Sequence, residues 1–185
     1  KRHGELRAVI NGKILDENER KAMVWDIERG QASDIQPFVW QTDTCIGSWH
    51  YDRGVYNRDG YKSAKSVIHA LVDIVSKNGN YLLNVPVRGD GSIDEKERKI
   101  VEEIGRWMAV SSGSIYGTRP WKIYGEGPST QNEAKINAQG FNEGKTKYTA
   151  EDIRFNTLGN ILFATVMDWP SNGKVVIKSL AQNSP

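Results

Sequence analysis

The sequence predicts an α/β region over residues 1–121 followed by antiparallel β-structure over residues 122–185. Three observations point there. Short apolar runs alternate with amphipathic stretches up to residue 121, the pattern of a parallel sheet with crossover helices. From Gly125 to Thr149 the chain turns Gly/Asn/Lys-rich and has few large apolar groups. Three further β-rich runs then follow, separated by Gly159-Asn160 and Asn172-Gly173 turn signals.

Leu6-Arg-Ala-Val-Ile10 is the first apolar run and reads as a strand closed by Asn11-Gly12. Residues 16–23 are polar and read as a loop. Val24 to Gly30 alternates large apolar with acidic residues and stops at glycine. Phe38 to Trp40, just after Pro37, reads as a strand. Residues 63–77 form an amphipathic helix, with Ala64, Val67, Ile68, Leu71, Val72 and Val75 at helical spacing. Asn78-Gly79 stops it, with Gly79 suited to a left-handed cap. Tyr81 to Val85 reads as a buried strand. Ser92 and Glu95 offer a capping box for a helix over 94–109, which carries Ile100, Val101, Ile104, Trp107 and Met108 on one face. Ile115-Tyr116 reads as a short strand. The closing strands are placed at 152–156, 161–166 and 174–180. Three or four β/α units cannot close on themselves and a three-stranded sheet leaves an open edge, so the chain reads as the C-terminal part of something larger.

Composition narrows the function. The 185 residues suit one domain, or one domain and part of a second. The net charge of +2, from 25 basic and 23 acidic residues, argues against a nucleic-acid partner, which demands a strongly basic face. No apolar run approaches the roughly 18 residues that a bilayer span requires. No signal peptide is recognisable, although the abrupt Lys-Arg-His opening allows for processing or truncation. The single Cys45 forms no internal disulfide and anchors no cysteine-built zinc site; with three scattered histidines, no metal is expected. Cys45 reads as a buried structural thiol, and His69 as a core or boundary histidine. Six tryptophans are the one compositional excess.

Two sets of residues could carry chemistry. Asp26 and Glu28 stand two apart beside Trp25, so in an extended segment both side chains point the same way. An aromatic wall disfavours the charged form of a carboxyl and suits a general acid; a solvated loop paired with Arg29 explains the same residues. Asp43 lies just past a strand end, where α/β enzymes gather functional groups, and a capped turn explains it equally. Trp40 and Trp49 bracket the same strand end, beside Gln41, Asp43, His50 and Tyr51. Aromatic rings with hydrogen-bonding neighbours hold sugars, ring against C–H face and polar groups against hydroxyls; packing behind the strand ends is the competing explanation. Trp107 reads as core.

Four segments in order carry a resemblance: Trp40-Gln-Thr-Asp-Thr-Cys-Ile-Gly-Ser-Trp-His-Tyr51, Lys77-Asn-Gly-Asn-Tyr-Leu-Leu-Asn-Val-Pro86, Ile104-Gly-Arg-Trp107 and Ile115-Tyr-Gly-Thr-Arg-Pro-Trp121. They resemble α-L-fucosidases of glycoside hydrolase family 29, and Asp152–Leu180 resembles that family's C-terminal β-sandwich. The resemblance implies that residues 1–121 are the C-terminal half of a (β/α) TIM-like barrel and residues 122–185 a β-sandwich domain. It also implies retaining removal of terminal α-L-fucose from a fucosylated oligosaccharide or glycoconjugate by double displacement, without cofactor or metal. The two carboxyls of a retaining enzyme lie about 5 Å apart. No segment here matches the nucleophile strand, so the nucleophilic aspartate and the rest of the barrel are expected upstream. The family carries its acid/base on a variable connection between the strands at 6–10 and 38–40, which implies Glu28 for that role, with Asp26 as its rival and Asp43 a distant third. Trp49 matches an aromatic that packs on the fucose ring, and Trp40 and Tyr51 are implied wall residues. Lys13, in Asn11-Gly-Lys13, stands where many members carry the arginine of an Asn-Asp-Arg triplet, although an ammonium does not reproduce a guanidinium fork. A non-catalytic sugar-binding or decayed member is the alternative. The substrate class implies a periplasmic or secreted location.

Overall fold

The structure is a computed structural model that describes residues 8–131 and 140–181. Four parallel strands form the first sheet in the order β1 (Asn11–Gly12), β2 (Val24–Glu28), β3 (Trp40–Cys45) and β4 (Gly79–Asn84). Helices α1 (Arg53–Asn57) and α2 (Ala64–Ser76) lie between β3 and β4, and α3 (Glu95–Ser111) follows β4. A second sheet is antiparallel, in the order β5 (Arg119–Glu126), β6 (Ile153–Leu158) and β7 (Ile161–Val166). Parallel and antiparallel β-structure thus follow one another as the sequence predicts.

The largest departure concerns β2. Val24–Glu28 is not a connection but an inner strand, paired with β1 on one side and β3 on the other. Its alternation is the reason. Trp25 and Ile27 enter the core with Leu15, Trp40, Ala70 and Ile74, while Asp26 and Glu28 face the other way. Complete burial of a side chain such as Ile27 contributes about 1.5–3 kcal/mol, which outweighs the polarity of its neighbours.

Other departures are local. Of the strand predicted at Leu6–Ile10, the first two residues lie outside the described residues. The pairing instead falls on Asn11-Gly12, whose partners are Val24 and Trp25. Gly12 is tight rather than turned: a Cβ there would sit 2.6 Å from a Leu15 methyl. β3 begins at Trp40, and Phe38 and Val39 are exposed. Asn78, not Gly79, takes the left-handed conformation after α2, at φ 71°. Gly79 is required for another reason, since a Cβ would lie 2.5 Å from the Trp40 ring. The cap of α3 is Asp94, which accepts from Lys96 N–H and Glu97 N–H at 2.8 Å each; Ser92 binds Asp90 instead. Ile115 is buried in a turn, and β5 begins beyond it. Residues 174–180 form no strand, and β5 supplies the third strand of the sheet.

Helix α2 joins the two sheets. One side packs on β2 and β3 through Ala70 and Ile74. The other meets α3 and the end of β7 through Val72, Ile115 and Met167, with Trp107 and Met108 against them. In its last turn Asp73 is fully buried. It accepts from Lys77 Nζ at 2.8 Å on its own helix and from Arg154 Nε at 2.6 Å on β6.

Candidate active site

The face of the parallel sheet turned away from α2 is polar. On β2 it presents Asp26 and Glu28; on β3, in register with them, Gln41 and Asp43. The Lys13 ammonium sits among these side chains. Its Nζ lies 2.7 Å from Glu28 Oε2, 3.1 Å from Asp43 Oδ1 and 3.3 Å from Asp26 Oδ2. Gln41 Nε2 donates to Asp26 Oδ1 at 3.2 Å. Partial burial works against the Lys13 charge, but hydrogen bonds to Glu28 and Asp43 and the nearby charge of Asp26 outweigh it and hold the ammonium above its ordinary range. A strand places alternate residues on one face, and the register supplies their neighbours. The cluster is therefore a direct product of the β2–β3 pairing. It gathers three carboxylates and one cation where the strands end, the position at which parallel sheets carry their sites.

The aromatics divide. Trp49 and Tyr51 lie on the loop after β3, at the same end of the sheet as Glu28 and Asp43. Trp49 is 40% exposed, and Asn84 Nδ2 at the end of β4 holds its carbonyl at 3.1 Å. Tyr51 is half-buried, with the Arg88 guanidinium 5.6 Å from its ring centre. Trp40 is not brought to this place. It points to the opposite face and is 1% exposed, its ring 6.4 Å from that of Trp25 and its Nε1 donating to the Lys77 carbonyl at 2.9 Å. Packing, the competing explanation for Trp40, is what the structure shows. Among the described residues no group of three or more His, Cys, Asp or Glu side chains is arranged to hold a metal ion.

The family model for alpha-L-fucosidase matches residues 1–113. The chain belongs to the alpha-L-fucosidase family. Among curated members, tissue alpha-L-fucosidase of Homo sapiens is 26% identical over 142 residues, which is 76% of this chain and 26% of that protein. The Bos taurus protein is 30% identical over 148 residues, 79% of this chain and 26% of that protein. This chain thus spans about a quarter of the length of these fucosidases. Among solved structures, an alpha-L-fucosidase superposes with a TM-score of 0.63 at 25% identity, over 81% of this chain and 30% of that one. The Thermotoga maritima alpha-fucosidase in complex with fucose gives 0.56 at 28% identity, over 74% of this chain and 28% of that one.

One part of this chain's strand-end region carries no specific signal in the sequence. Residues 140–143, within the Gly/Asn/Lys-rich stretch, return to the ends of β2 and β3. Gly140 bridges Glu28 in parallel, and Glu143 accepts from Thr44 Oγ1 at 2.7 Å and pairs with Lys62 at 3.1 Å. Only composition marked this stretch, and composition reads as a loop. Cys45 is buried beside it and its thiol is pushed up by that burial. His69 is a boundary histidine, its Nε2 2.5 Å from the Met167 carbonyl and its charged form disfavoured by burial.

Proposed function

We propose that the protein carrying this chain removes terminal α-L-fucose from fucosylated oligosaccharides or glycoconjugates by retaining double displacement, with Glu28 as acid/base. One observation carries this reading. In a chain of the alpha-L-fucosidase family, Glu28 closes an inner parallel strand, with its carboxylate in a shared polar cluster at the strand ends. In the first step Glu28 protonates the glycosidic oxygen while a carboxylate from outside this chain attacks the anomeric carbon. In the second Glu28 takes a proton from water, which then displaces that carboxylate. An acid role requires Glu28 to be protonated when substrate is bound. Lys13 has two other carboxylate partners, Asp26 and Asp43, to hold its charge at that moment. Asp26 is the rival acid/base, on the same face two residues earlier. Trp49 and Tyr51 are the proposed sugar-contacting aromatics on the loop after β3, and Lys13 the proposed polar contact.

In the same reading residues 1–121 are the C-terminal half of a catalytic (β/α) barrel completed by an upstream portion, and residues 122–185 begin a β-sandwich. The substrate class places the protein in the periplasm or outside the cell. No described helix is long and apolar enough to cross a membrane.

The test is the rate on an aryl α-L-fucoside for the protein that carries this chain and for its Glu28→Ala variant, with and without azide. An activated leaving group needs little acid assistance, whereas the intermediate still needs a base for water. A loss of about 10²-fold or more with recovery in azide is expected. A variant running at the parent rate hands the role to Asp26. A parent that binds L-fucose and turns over no fucoside is a sugar-binding member.

A further inference from the structure

The last residue of β2 is held from a distant part of the chain. β1 pairs only with Val24 and Trp25, so beyond them the outer edge of β2 takes its partner from residues 140–143. Phe141 N–H donates to the Glu28 carbonyl at 2.8 Å, and Glu143 N–H to the Arg29 carbonyl at 3.0 Å. On the other side, Arg29 N–H donates to the Asp43 carbonyl of β3 at 2.9 Å. The Asn142 amide closes on Gln31, accepting its N–H at 2.8 Å and donating to its carbonyl at 3.0 Å. The Glu143 carboxylate accepts from Thr44 Oγ1 at 2.7 Å and lies 3.1 Å from Lys62 Nζ and 3.4 Å from Arg29 Nε.

Two backbone features show how closely this segment is fitted. Arg29 adopts φ 44°, a left-handed conformation that a non-glycine residue keeps only where surrounding contacts over-determine it. Its N–H and carbonyl are both engaged, one by β3 and one by the returning segment. Gly140 has φ 128°, and a Cβ there would lie 2.1 Å from the Glu28 carbonyl oxygen. The segment approaches the backbone of Glu28 as nearly as a chain without a side chain can.

We propose that residues 140–143 are a strap that positions Glu28, with Glu143 as its anchor, a role that rests on Glu28 being the acid/base. Glu143 engages Thr44, which alternates with Asp43 and so points to the opposite face of β3. It therefore acts through the backbone, as a positioning residue. Two cations, Lys62 and Arg29, meet at the strand ends, and the Glu143 charge ties both to the segment that carries it. With the turn after Glu28 fixed from both sides, the carboxyl stays at one height above the sheet. Misplacement of an acid/base by about 1 Å costs on the order of 10²-fold in rate.

Glu143→Gln, which keeps the shape and loses the charge, and Glu143→Ala are compared with the protein that carries this chain on an aryl α-L-fucoside. The expected result is a fall in kcat of about 10-fold for Gln and up to about 10²-fold for Ala, with KM falling alongside it, because the base-dependent second step becomes rate-limiting while the first, with an activated leaving group, is little affected. A variant that merely loses folded protein shows a lower apparent kcat at an unchanged KM, and that outcome overturns the positioning role. So do unchanged kcat values in both variants beside a collapsed Glu28→Ala. Amide hydrogen exchange over residues 28–31 reads the strap without substrate. It is expected to quicken about 10-fold or more in Glu143→Ala while α2 keeps its protection, and unchanged exchange overturns the strap. If the unaltered protein cleaves no fucoside, the fucosidase reading fails by itself and exchange alone decides the strap.

Discussion

Lys13 shows what a single residue does when three carboxylates surround it. Without the ammonium, Asp26, Glu28 and Asp43 would face one another as like charges on two adjacent strands. Lys13→Met is expected to lower stability by about 1–3 kcal/mol near neutral pH. The deficit should shrink as ionic strength rises, because salt screens charges that are partly exposed to solvent. Urea unfolding at pH 7 in low and in high salt measures it; an equal deficit in both would remove the electrostatic account. The pairing of Asp26 with Glu28 was legible, because a spacing of two has one meaning in extended chain. Their convergence with Lys13 and Asp43 was not. It depends on which strand lies beside which and in what register, and no local pattern encodes that. Trp40 was ambiguous for the same reason: Trp40 and Trp49 are equally aromatic in sequence, and only the pleat of β3 sends Trp40 into the core.

Helices were more legible than strands. The predicted spans 63–77 and 94–109 agree closely with α2 and α3, because a stripe at helical spacing is long and self-contained. β2 was misplaced because five residues give too little alternation to separate a strand from a connection. The predicted strand at 174–180 failed in the opposite sense, having β-type residues without a neighbour to pair with among the described strands. Glycine reads were right in location and wrong in cause at Gly79, where the constraint is contact rather than dihedral angle. That distinction is testable. Gly79→Ala would drive a methyl into the Trp40 ring and the Ile74 side chain, at 2.5 and 2.7 Å. A cost of about 1–3 kcal/mol is expected from the overpacking, together with a shift in tryptophan emission, read by urea unfolding followed by fluorescence. A stability equal to the parent would mean that α2 and β3 can separate at that point without loss.

At the scale of the molecule, the buried ion cluster of Asp73, Lys77 and Arg154 ties α2 to β6 and so joins the parallel to the antiparallel sheet. Burial alone would raise the Asp73 pKa, but the adjacent Lys77 and Arg154 charges dominate and hold the carboxyl below its usual range. A folded-state pKa below the unfolded value means that the stabilisation is present above about pH 4 and is lost as pH falls through the lower folded value. Asp73→Asn is expected to cost about 3–5 kcal/mol at neutral pH, because Lys77 and Arg154 stay buried without their carboxylate, and to flatten the acid limb of the stability curve. Urea unfolding from pH 3 to 8 measures both; a variant with the parent's stability and slope would show that the two sheets are held by apolar packing alone. None of this was visible in sequence, where Asp73 sits inside a helical stripe and Arg154 in a β-rich run 81 residues away. The bridge from Gly140 to Glu28 spans a longer stretch of chain still and bears on synthesis. A ribosome delivers β2 long before residues 140–143, so the nascent strand emerges with its Glu28 end unfinished. It matures only when the later segment has left the exit tunnel and folded back, an order of events that leaves the Glu28 end of the half-made sheet unpaired until then.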